Sequence, residues 1–500
     1  MIKKTKNSSI YSLTILLCFL LAAEALPLEF PDNPAGLRAK EIVSLLNGEF
    51  PRSAEEYIQN DYAPGFRQAF PIAAHKQIFD STKVMFGKLE LVEVTSSTPT
   101  QISFTLRSQT KEAWLNISIN VEETPPHRIT SMGIRPGSRP ASLEKDDKMN
   151  PEAEREKTDN DSIKSEHNPV NVTREELHKL ISAKAEENEF SGVVLVAQNG
   201  QPLFHRAYGY ASKRFKVQNQ LDTKFNLGSI NKSFTTVAIM QLVEQGKLSL
   251  DEPIGKYLDD FPPEIADKVT IKHLLNMRSG WGDFWGNENY LARFSRLRKV
   301  SDYMEFIIDI PLNFEPGTNF QHSNTGFDVA GAIIEKVTGE DYFDFVKKHI
   351  FEPAGMNNTD SFHKDGPVEN MAVGYTNTNR NDPEGKGYYW DNTYMIPPRG
   401  TPAGGGYSTS EDLLKYDQAL RNNLLLSESY TDYMFNRFEG KVGDPYIPKG
   451  MYRAVGGAPG INAFFAIDFK TGFTFIVLSN YDHPAAVILA EEIIKMYGVM

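Results

Sequence analysis

The 500-residue sequence predicts an α+β protein in which two folded domains are joined by a charged linker. Within residues 30–137, helical patterns precede segments whose apolar residues alternate, as they do in half-buried strands. Residues 138–171 carry almost no apolar side chains. Residues 172–500 begin and end with strand-like runs and have helical patterns between them, which predicts one antiparallel sheet with a helical insertion.

The composition is that of a globular protein with room for more than one domain. Hydrophobic residues make up 40% of the chain, and single cores rarely grow past roughly 250 to 300 residues. The formal net charge of -12 argues against a nucleic-acid partner, because nucleic-acid-binding proteins normally present a basic face. The charge identifies no other partner.

Residues 1–25 are predicted to be a signal peptide. Lysines near the start precede the apolar run IYSLTILLCFLLAA, and the Ala-Glu-Ala sequence at 23–25 places small residues where a signal peptidase cleaves, before Leu26. The alternative is a transmembrane anchor, but the run is shorter than the ~20 residues that cross a bilayer. We therefore expect an exported protein, periplasmic or secreted, with no stable membrane span after cleavage.

The single cysteine, Cys18, lies inside this run and follows Leu17, where a lipoprotein signal would have a small residue. The mature chain is then expected to lack disulfides, cysteine nucleophiles and thiolate metal sites. His205, His273 and His349 lie in separate segments without metal-ligand spacing. We expect no metal site and no cofactor.

The first folded domain is predicted at 30–137 by an alternation that continues over two neighbouring strands. Its inward-facing residues are expected to be Ile102, Phe104, Leu106, Leu115, Ile117, Ile119 and Val121. The following segment, 138–171, has dense charge of both signs and too few apolar residues to bury a core, which predicts a flexible linker.

The S-x-x-K pattern, which could pair a serine nucleophile with a lysine base, starts at Ser108, Ser142 and Ser229. Only Ser229 opens an apolar run that favours a buried helix, which Gly246 would end. Residues i and i+3 share a helix face, so Lys232 would lie over Ser229, where the N-terminal N–H groups stabilise negative charge. The alternative is a helix-capping serine beside a surface lysine.

Several segments, in order, resemble the serine β-lactamase-related hydrolases, the group of class C β-lactamases, D,D-peptidases and esterases. They are FNLGSINKSFTTVAIMQLVEQGKLSLDEPI, VTIKHLLNMRSGW, FEPGTNFQHSNTGFDVAGAIIEKVTG, AGGGYSTSEDLLKY and GGAPGINAFFAIDFKTGFTFIVLSNYD. The resemblance covers about 175–497 and implies the β-lactamase/transpeptidase-like fold, an antiparallel sheet flanked by helices with a helical subdomain. The 30–137 domain resembles a cystatin-like or nuclear-transport-factor-like α+β cone.

The resemblance implies that Ser229 attacks a carbonyl and that Lys232, neutral because it is desolvated, takes the proton. The family's Tyr-x-Asn motif matches His322-Ser323-Asn324, so a histidine replaces the tyrosine. Imidazole titrates near 6.5 and phenol near 10, so His322 could act as a base at neutral pH. The alternative is a histidine tolerated in a cleft that no longer performs fast chemistry.

The family's third motif has a basic residue on a strand beside the cleft. Here the matching segment AVGGAPG has Ala454, while strand alternation points the adjacent Arg453 away from the cleft. The backbone N–H of Gly457 could still pair with that of Ser229 as an oxyanion hole. Lys470-Thr471-Gly472, a literal match to this motif, is predicted to be a hairpin turn.

These features predict an exported serine hydrolase that forms an acyl-enzyme with an amide, ester or β-lactam carbonyl. Its partner would be a small-molecule or peptide substrate, with a cell-wall peptide as one candidate. The competing hypothesis is a binding module that retains the cleft without the chemistry. His322 and Ala454 discriminate between the two, because an active enzyme must compensate for both replacements.

Overall fold

The computed structural model describes residues 29–69, 72–110, 113–137, 172–377, 389–436 and 451–499. The predicted signal peptide and the predicted linker lie outside the described residues, so both stay predictions. The helices are α1 Pro34–Leu46, α2 Ala54–Asp61, α3 Pro64–Ala69, α4 Ile72–Phe86, α5 Arg174–Glu186, α6 Asn231–Glu244, α7 Pro263–Ala266, α8 Ile271–Leu275, α9 Glu288–Arg293, α10 Ser301–Met304, α11 Thr325–Thr338, α12 Tyr342–Val346, α13 Glu352–Ala354, α14 Ser410–Arg421, α15 Glu428–Asn436 and α16 Ala485–Met496. The strands are β1 Leu89–Ser97, β2 Gln101–Ser108, β3 Trp114–Val121, β4 Ile129–Gly137, β5 Gly192–Gln198, β6 Gln201–Tyr208, β7 Tyr210–Ser212, β8 Val217–Gln218, β9 Phe225–Asn226, β10 Tyr375–Thr376, β11 Trp390–Asp391, β12 Tyr407–Ser408, β13 Met451–Ala458, β14 Ile461–Asp468 and β15 Phe473–Ser479.

The first four strands form an antiparallel sheet in the order β1-β2-β3-β4, and helices α1 to α4 precede it in the chain. Phe104 of β2 lies opposite Ile117 of β3, and both are buried. The full set of predicted inward-facing residues is buried in one core with residues of α1 and α2. Alternation therefore identified this core correctly, because successive side chains of a strand point to opposite faces.

The second sheet has five strands in the order β13-β14-β15-β5-β6, all antiparallel. The paired strands β15 and β5 come from the two ends of the predicted second domain, and Gly192 of β5 lies opposite Ser479 of β15. The predicted antiparallel sheet with a helical insertion between its end strands is thus confirmed, and three two-stranded sheets, β7-β8, β12-β9 and β10-β11, accompany it.

Both faces of the three inner strands, β14, β15 and β5, are buried, so these strands are almost continuously apolar. Val194 and Val196 of β5 pack with residues of α5 and α16, whereas Val193 and Leu195 pack into the larger core that includes α6. The 14-residue helix α6 is buried along almost its whole length. Its start is consequently fixed against the sheet, which positions the residues described below.

Lys470-Thr471-Gly472 occupies the turn between β14 and β15, as predicted, with Gly472 at a φ of +77° and the Thr471 hydroxyl bonded to Asp468. Among the described residues, no helix is long and apolar enough to span a membrane. The same part of the chain contains no group of three or more His, Cys, Asp or Glu residues arranged to hold a metal ion.

Candidate active site

Ser229 lies in a single 3-10 turn, Gly228–Ile230, that leads directly into α6. The residue that precedes α6 is Ile230, which makes no side-chain cap. Lys232 is 7% exposed, whereas Ser229 is partly exposed. The alternative of a capping serine beside a surface lysine therefore does not hold for this segment.

The amine of Lys232 has three hydrogen-bond partners around it. Its Nζ atom lies 3.0 Å from Ser229 Oγ, 2.6 Å from Asn324 Oδ1 and 2.7 Å from the Ala403 carbonyl oxygen. Burial lowers the pKa of Lys232 to about 8, although the charges of Asp283 and Asp328 act to raise it. A substantial fraction of the amine is therefore neutral at mildly alkaline pH.

The partners of Lys232 determine where its lone pair points once the proton has left. An amide oxygen and a backbone carbonyl can only accept hydrogen bonds, so Asn324 and Ala403 take the two remaining N–H groups. The hydroxyl of Ser229 is the one partner that can donate. Neutral Lys232 thus directs its lone pair at the serine proton, which is the geometry of a general base.

The side-chain amide of Asn324 is fixed in one orientation, because a hydrogen-bond donor lies beside its oxygen and an acceptor lies beside its nitrogen. Its Oδ1 atom accepts from Lys232, and its Nδ2 atom donates to Asp283 Oδ2 at 3.0 Å. Asp283 Oδ1 also accepts from the backbone N–H groups of Asn324 at 2.6 Å and Thr325 at 3.3 Å, at the start of α11. A carboxylate is stabilised at a helix N-terminus, so Asp283 anchors α11 and the amide together.

His322 lies at the open edge of this cluster. Its side chain is 54% exposed, and Nδ1 is 3.9 Å from Asp283 Oδ2. The three N–H groups of protonated Lys232 donate to Ser229, Asn324 and Ala403, so Lys232 and His322 are not hydrogen-bonded to each other. The structure places His322 beside Asn324, and its role in proton transfer stays a prediction.

Strand β13 passes directly beside the turn that holds Ser229. A Cβ atom on Gly456 would lie 1.9 Å from the Leu227 carbonyl oxygen and 3.0 Å from the Ser229 nitrogen, and one on Gly228 would lie 2.8 Å from the Gly457 nitrogen. Only glycines permit this approach of two backbones. The backbone nitrogens of Ser229 and Gly457 therefore both lie where β13 approaches this turn, which is where the sequence predicts an oxyanion hole.

The replaced basic residue leaves no cation on this face of β13. Ala454 pairs with Phe465, whose side chain is in the core on the α6 side, while Arg453 pairs with Ala466 on the opposite face. Burial raises the pKa of Glu491 on α16, and the charge of Arg453 opposes that shift. Arg453 therefore faces α16, as strand alternation predicts.

The sequence assigns no individual role to Ala403 or Asp283, although the segment AGGGYSTSEDLLKY, which begins at Ala403, is part of the family resemblance. The residues from Thr401 to Gly404 form a tight turn, in which the Thr401 N–H donates to the Gly404 carbonyl, and they present the Ala403 carbonyl to Lys232. A backbone carbonyl leaves no side-chain signal in a sequence. Asp283 had a weak signal, as an isolated acid in the apolar stretch SGWGDFWG.

Comparison with known proteins places this region in a family. A family model described as beta-lactamase matches residues 177–495. Penicillin-binding protein 4* of Bacillus subtilis is 31% identical over 282 residues, 53% of this chain and 59% of that protein. The esterase EstB of Burkholderia gladioli is 31% identical over 270 residues, 48% of this chain and 68% of that protein.

The fold comparison agrees. The crystal structure of a penicillin-binding protein from Bacillus halodurans has a TM-score of 0.56 and 28% identity, and the match covers 64% of this chain and 98% of that one. The β-lactamase/transpeptidase-like fold expected from the resemblance is confirmed. The match with the family model contains the five-stranded sheet, α6 and the cluster around Lys232, and the chain belongs to the β-lactamase family.

Proposed function

We propose that the chain is an exported serine hydrolase that cleaves an amide, ester or β-lactam carbonyl through an acyl-enzyme. The observation that carries the proposal is the buried amine of Lys232, held 3.0 Å from Ser229 Oγ with its two other partners unable to donate. A desolvated lysine in contact with a serine hydroxyl is an arrangement that activates the nucleophile.

In the proposed acylation, neutral Lys232 removes the Ser229 proton while Oγ attacks the carbonyl carbon. The negative charge that develops on the carbonyl oxygen is stabilised by the N–H groups of Ser229 and Gly457. Asn324 and Ala403 hold the new ammonium through the hydrogen bonds already present. The leaving group departs with the proton that Lys232 took from Ser229, and a water molecule then hydrolyses the acyl-enzyme and returns a proton to Ser229 Oγ.

His322 is the proposed second proton-transfer group, because its ring lies at the solvent-facing edge of the same cluster. From there it can exchange protons between the leaving group or the incoming water and the solvent.

The substrate class is proposed from the relatives. Two are named as penicillin-binding proteins and one as an esterase, which fits attack on an activated carbonyl. A peptide of the cell wall or a small ester is therefore the proposed substrate.

A binding module remains the competing function, and Ala454 is the observation that favours it. The family's basic residue on β13 is missing, so a substrate carboxylate or a leaving group meets no cation from this strand. Such a protein would bind the ligand in the cleft without acyl transfer.

Covalent labelling distinguishes the two functions. We expect a fluorophosphonate to add once to Ser229, with intact-mass analysis showing a single adduct that Ser229→Ala abolishes. Ser142→Ala, at another S-x-x-K string of the chain, is the matched control and should label like wild type. Absence of an adduct after long incubation would support the binding module.

Export has its own test. N-terminal sequencing of the protein recovered outside the cytoplasm is expected to begin at Leu26, and a mature protein that begins at Met1 would contradict signal cleavage.

A further inference from the structure

Asp328 is a buried acid on α11, one helical turn after Asn324. Only 1% of its surface is exposed, and its Oδ1 atom has no hydrogen-bond partner. Burying a carboxylate oxygen in this way costs free energy. An apolar residue would pack in this helix at a lower cost, so the acid calls for a reason beyond packing.

The position of Asp328 connects it with the proposed base. Residues i and i+4 share a helix face, and the Asn324 side chain on that face accepts a hydrogen bond from Lys232 at 2.6 Å. Burial raises the pKa of Asp328 to about 7, and the charge of Lys232 lowers it. The same attraction raises the pKa of Lys232 against the larger effect of burial.

Asp328 is also influenced by the turn that supplies the third partner of the amine. The polar groups of the Thr401 side chain and of the Ala403 backbone act to lower its pKa, in opposition to burial. The carbonyl of Ala403 accepts from Lys232. Lys232 and Asp328 are therefore both influenced by the polar groups of this turn, and the carboxylate acts on the amine through its charge.

The other titratable groups around this pair can be identified. Asp283 raises the pKa of both Lys232 and Asp328, as a second negative charge should. The charge of Asp328 also acts on two tyrosines, Tyr303 and Tyr342. Burial is the main cause that raises the pKa of each tyrosine, and the negative charge of Asp328 adds to it. Both phenols stay neutral near neutral pH, so Asp283 and Asp328 are the negative charges that act on the amine.

We propose that Asp328 is a positioning residue for Lys232, whose carboxylate stabilises the ammonium that forms when the Ser229 proton arrives. The inference rests on the proposed function. During acylation the proton moves from Ser229 Oγ to Lys232 Nζ, and Asp328 contributes its charge without accepting that proton.

The test is the pH dependence of kcat/KM for a small ester in Asp328→Asn, which keeps the shape of the side chain and removes its charge. Lys232 should then lose its proton more readily, so the rise in rate near pH 8 should move about one unit to lower pH. The plateau should fall, because the ammonium formed during acylation has lost a stabilising charge.

Asp417→Asn is the matched control. Asp417 is equally buried, but it lies on α14, where it is bonded to Arg421 and to Thr474 of β15. This variant should lower the stability and leave the rise near pH 8 in place. A lower plateau in Asp328→Asn without any shift of the rise would show a merely structural role and overturn the proposal.

A second measurement does not require activity. In a double-mutant cycle with Lys232→Met, Asp328→Asn should cost more free energy of unfolding at pH 7 when Lys232 is present than when methionine replaces it. The difference should vanish above about pH 10, where the amine is neutral. Coupling without fluorophosphonate labelling would contradict the proposed function alone, whereas labelling without coupling would contradict the role of Asp328.

Discussion

At the scale of single residues, the protonation of Lys232 controls the proposed chemistry. Its pKa of about 8 results from burial opposed by two carboxylates. Because the neutral amine is the base, the rate of acylation should rise with pH through this value.

Replacing Lys232 by arginine separates charge from basicity. A guanidinium keeps the positive charge but stays protonated at any working pH, so Lys232→Arg should lower kcat/KM for a small ester by roughly 100-fold or more. Lys224→Arg, at a partly exposed lysine whose amine contacts the Glu369 carbonyl, should match wild type. A rate for Lys232→Arg within a few-fold of wild type would exclude the amine as the base.

His322 should contribute an ionisation of its own. If the ring transfers protons, the wild-type rate should have a limb through about pH 6 to 7, as the ring becomes neutral. His322→Phe should remove that limb and cost roughly 100-fold, while leaving the rise due to Lys232 near pH 8. His322→Tyr, which restores the family's residue, should keep activity with a displaced limb. Coincident pH profiles for wild type and His322→Phe would leave Lys232 as the sole base.

At the scale of elements, the site depends on how closely β13 approaches the turn before α6. The two backbones meet through glycines, and a side chain at Gly456 would collide with the Leu227 carbonyl. The same contact aligns the nitrogens of Ser229 and Gly457, so the packing of one strand controls the proposed oxyanion hole.

Gly456→Ala should push β13 away from the turn that holds Ser229. We expect roughly a 100-fold loss in kcat, the usual effect of losing one oxyanion donor, with a smaller effect on KM. Gly286→Ala, where a Cβ atom would meet nothing within 4 Å, controls for the general effect of adding a methyl group. Unchanged kcat in Gly456→Ala would show that the separation of these backbones does not limit the reaction.

At the scale of the whole molecule, the described residues form separate hydrophobic cores for the small domain and for the β-lactamase-family region. Their stabilities can therefore respond differently to pH. His75 of the small domain is 2% exposed and packs against Tyr62 and Phe66, and burial lowers its pKa to about 4.

Acid should destabilise the small domain through His75. The imidazole of the unfolded chain binds a proton near pH 6.5, whereas the folded ring does so only near 4. The contribution of the neutral, buried ring to the free energy of unfolding is therefore complete above pH 6.5 and is lost as the pH falls toward 4. The loss would reach about 3 kcal/mol. Hydrogen exchange of the full chain should show protection falling in residues 29–137 over this window, and much less in His75→Phe. Equal loss in both proteins would assign the effect to other groups.

The sequence by itself determined the features that repeat locally or follow a motif. Alternation identified the buried residues of β2 and β3, and the apolar runs at 192 and 473 predicted one sheet, because strand periodicity leaves a direct pattern in the chain. The motif resemblance selected Ser229 and Lys232 from among similar strings, and alternation predicted that Arg453 points away from the site.

Only the tertiary structure decided what surrounds the amine of Lys232. Asp283, Asp328 and Ala403 come from segments distant along the chain, and no spacing in the sequence relates them to position 232. A backbone carbonyl has no residue-type signature, and a buried acid looks in sequence like any other acid within an apolar helix. The pKa of the base depends on burial and on charges brought together across space, so it is a property of the folded molecule.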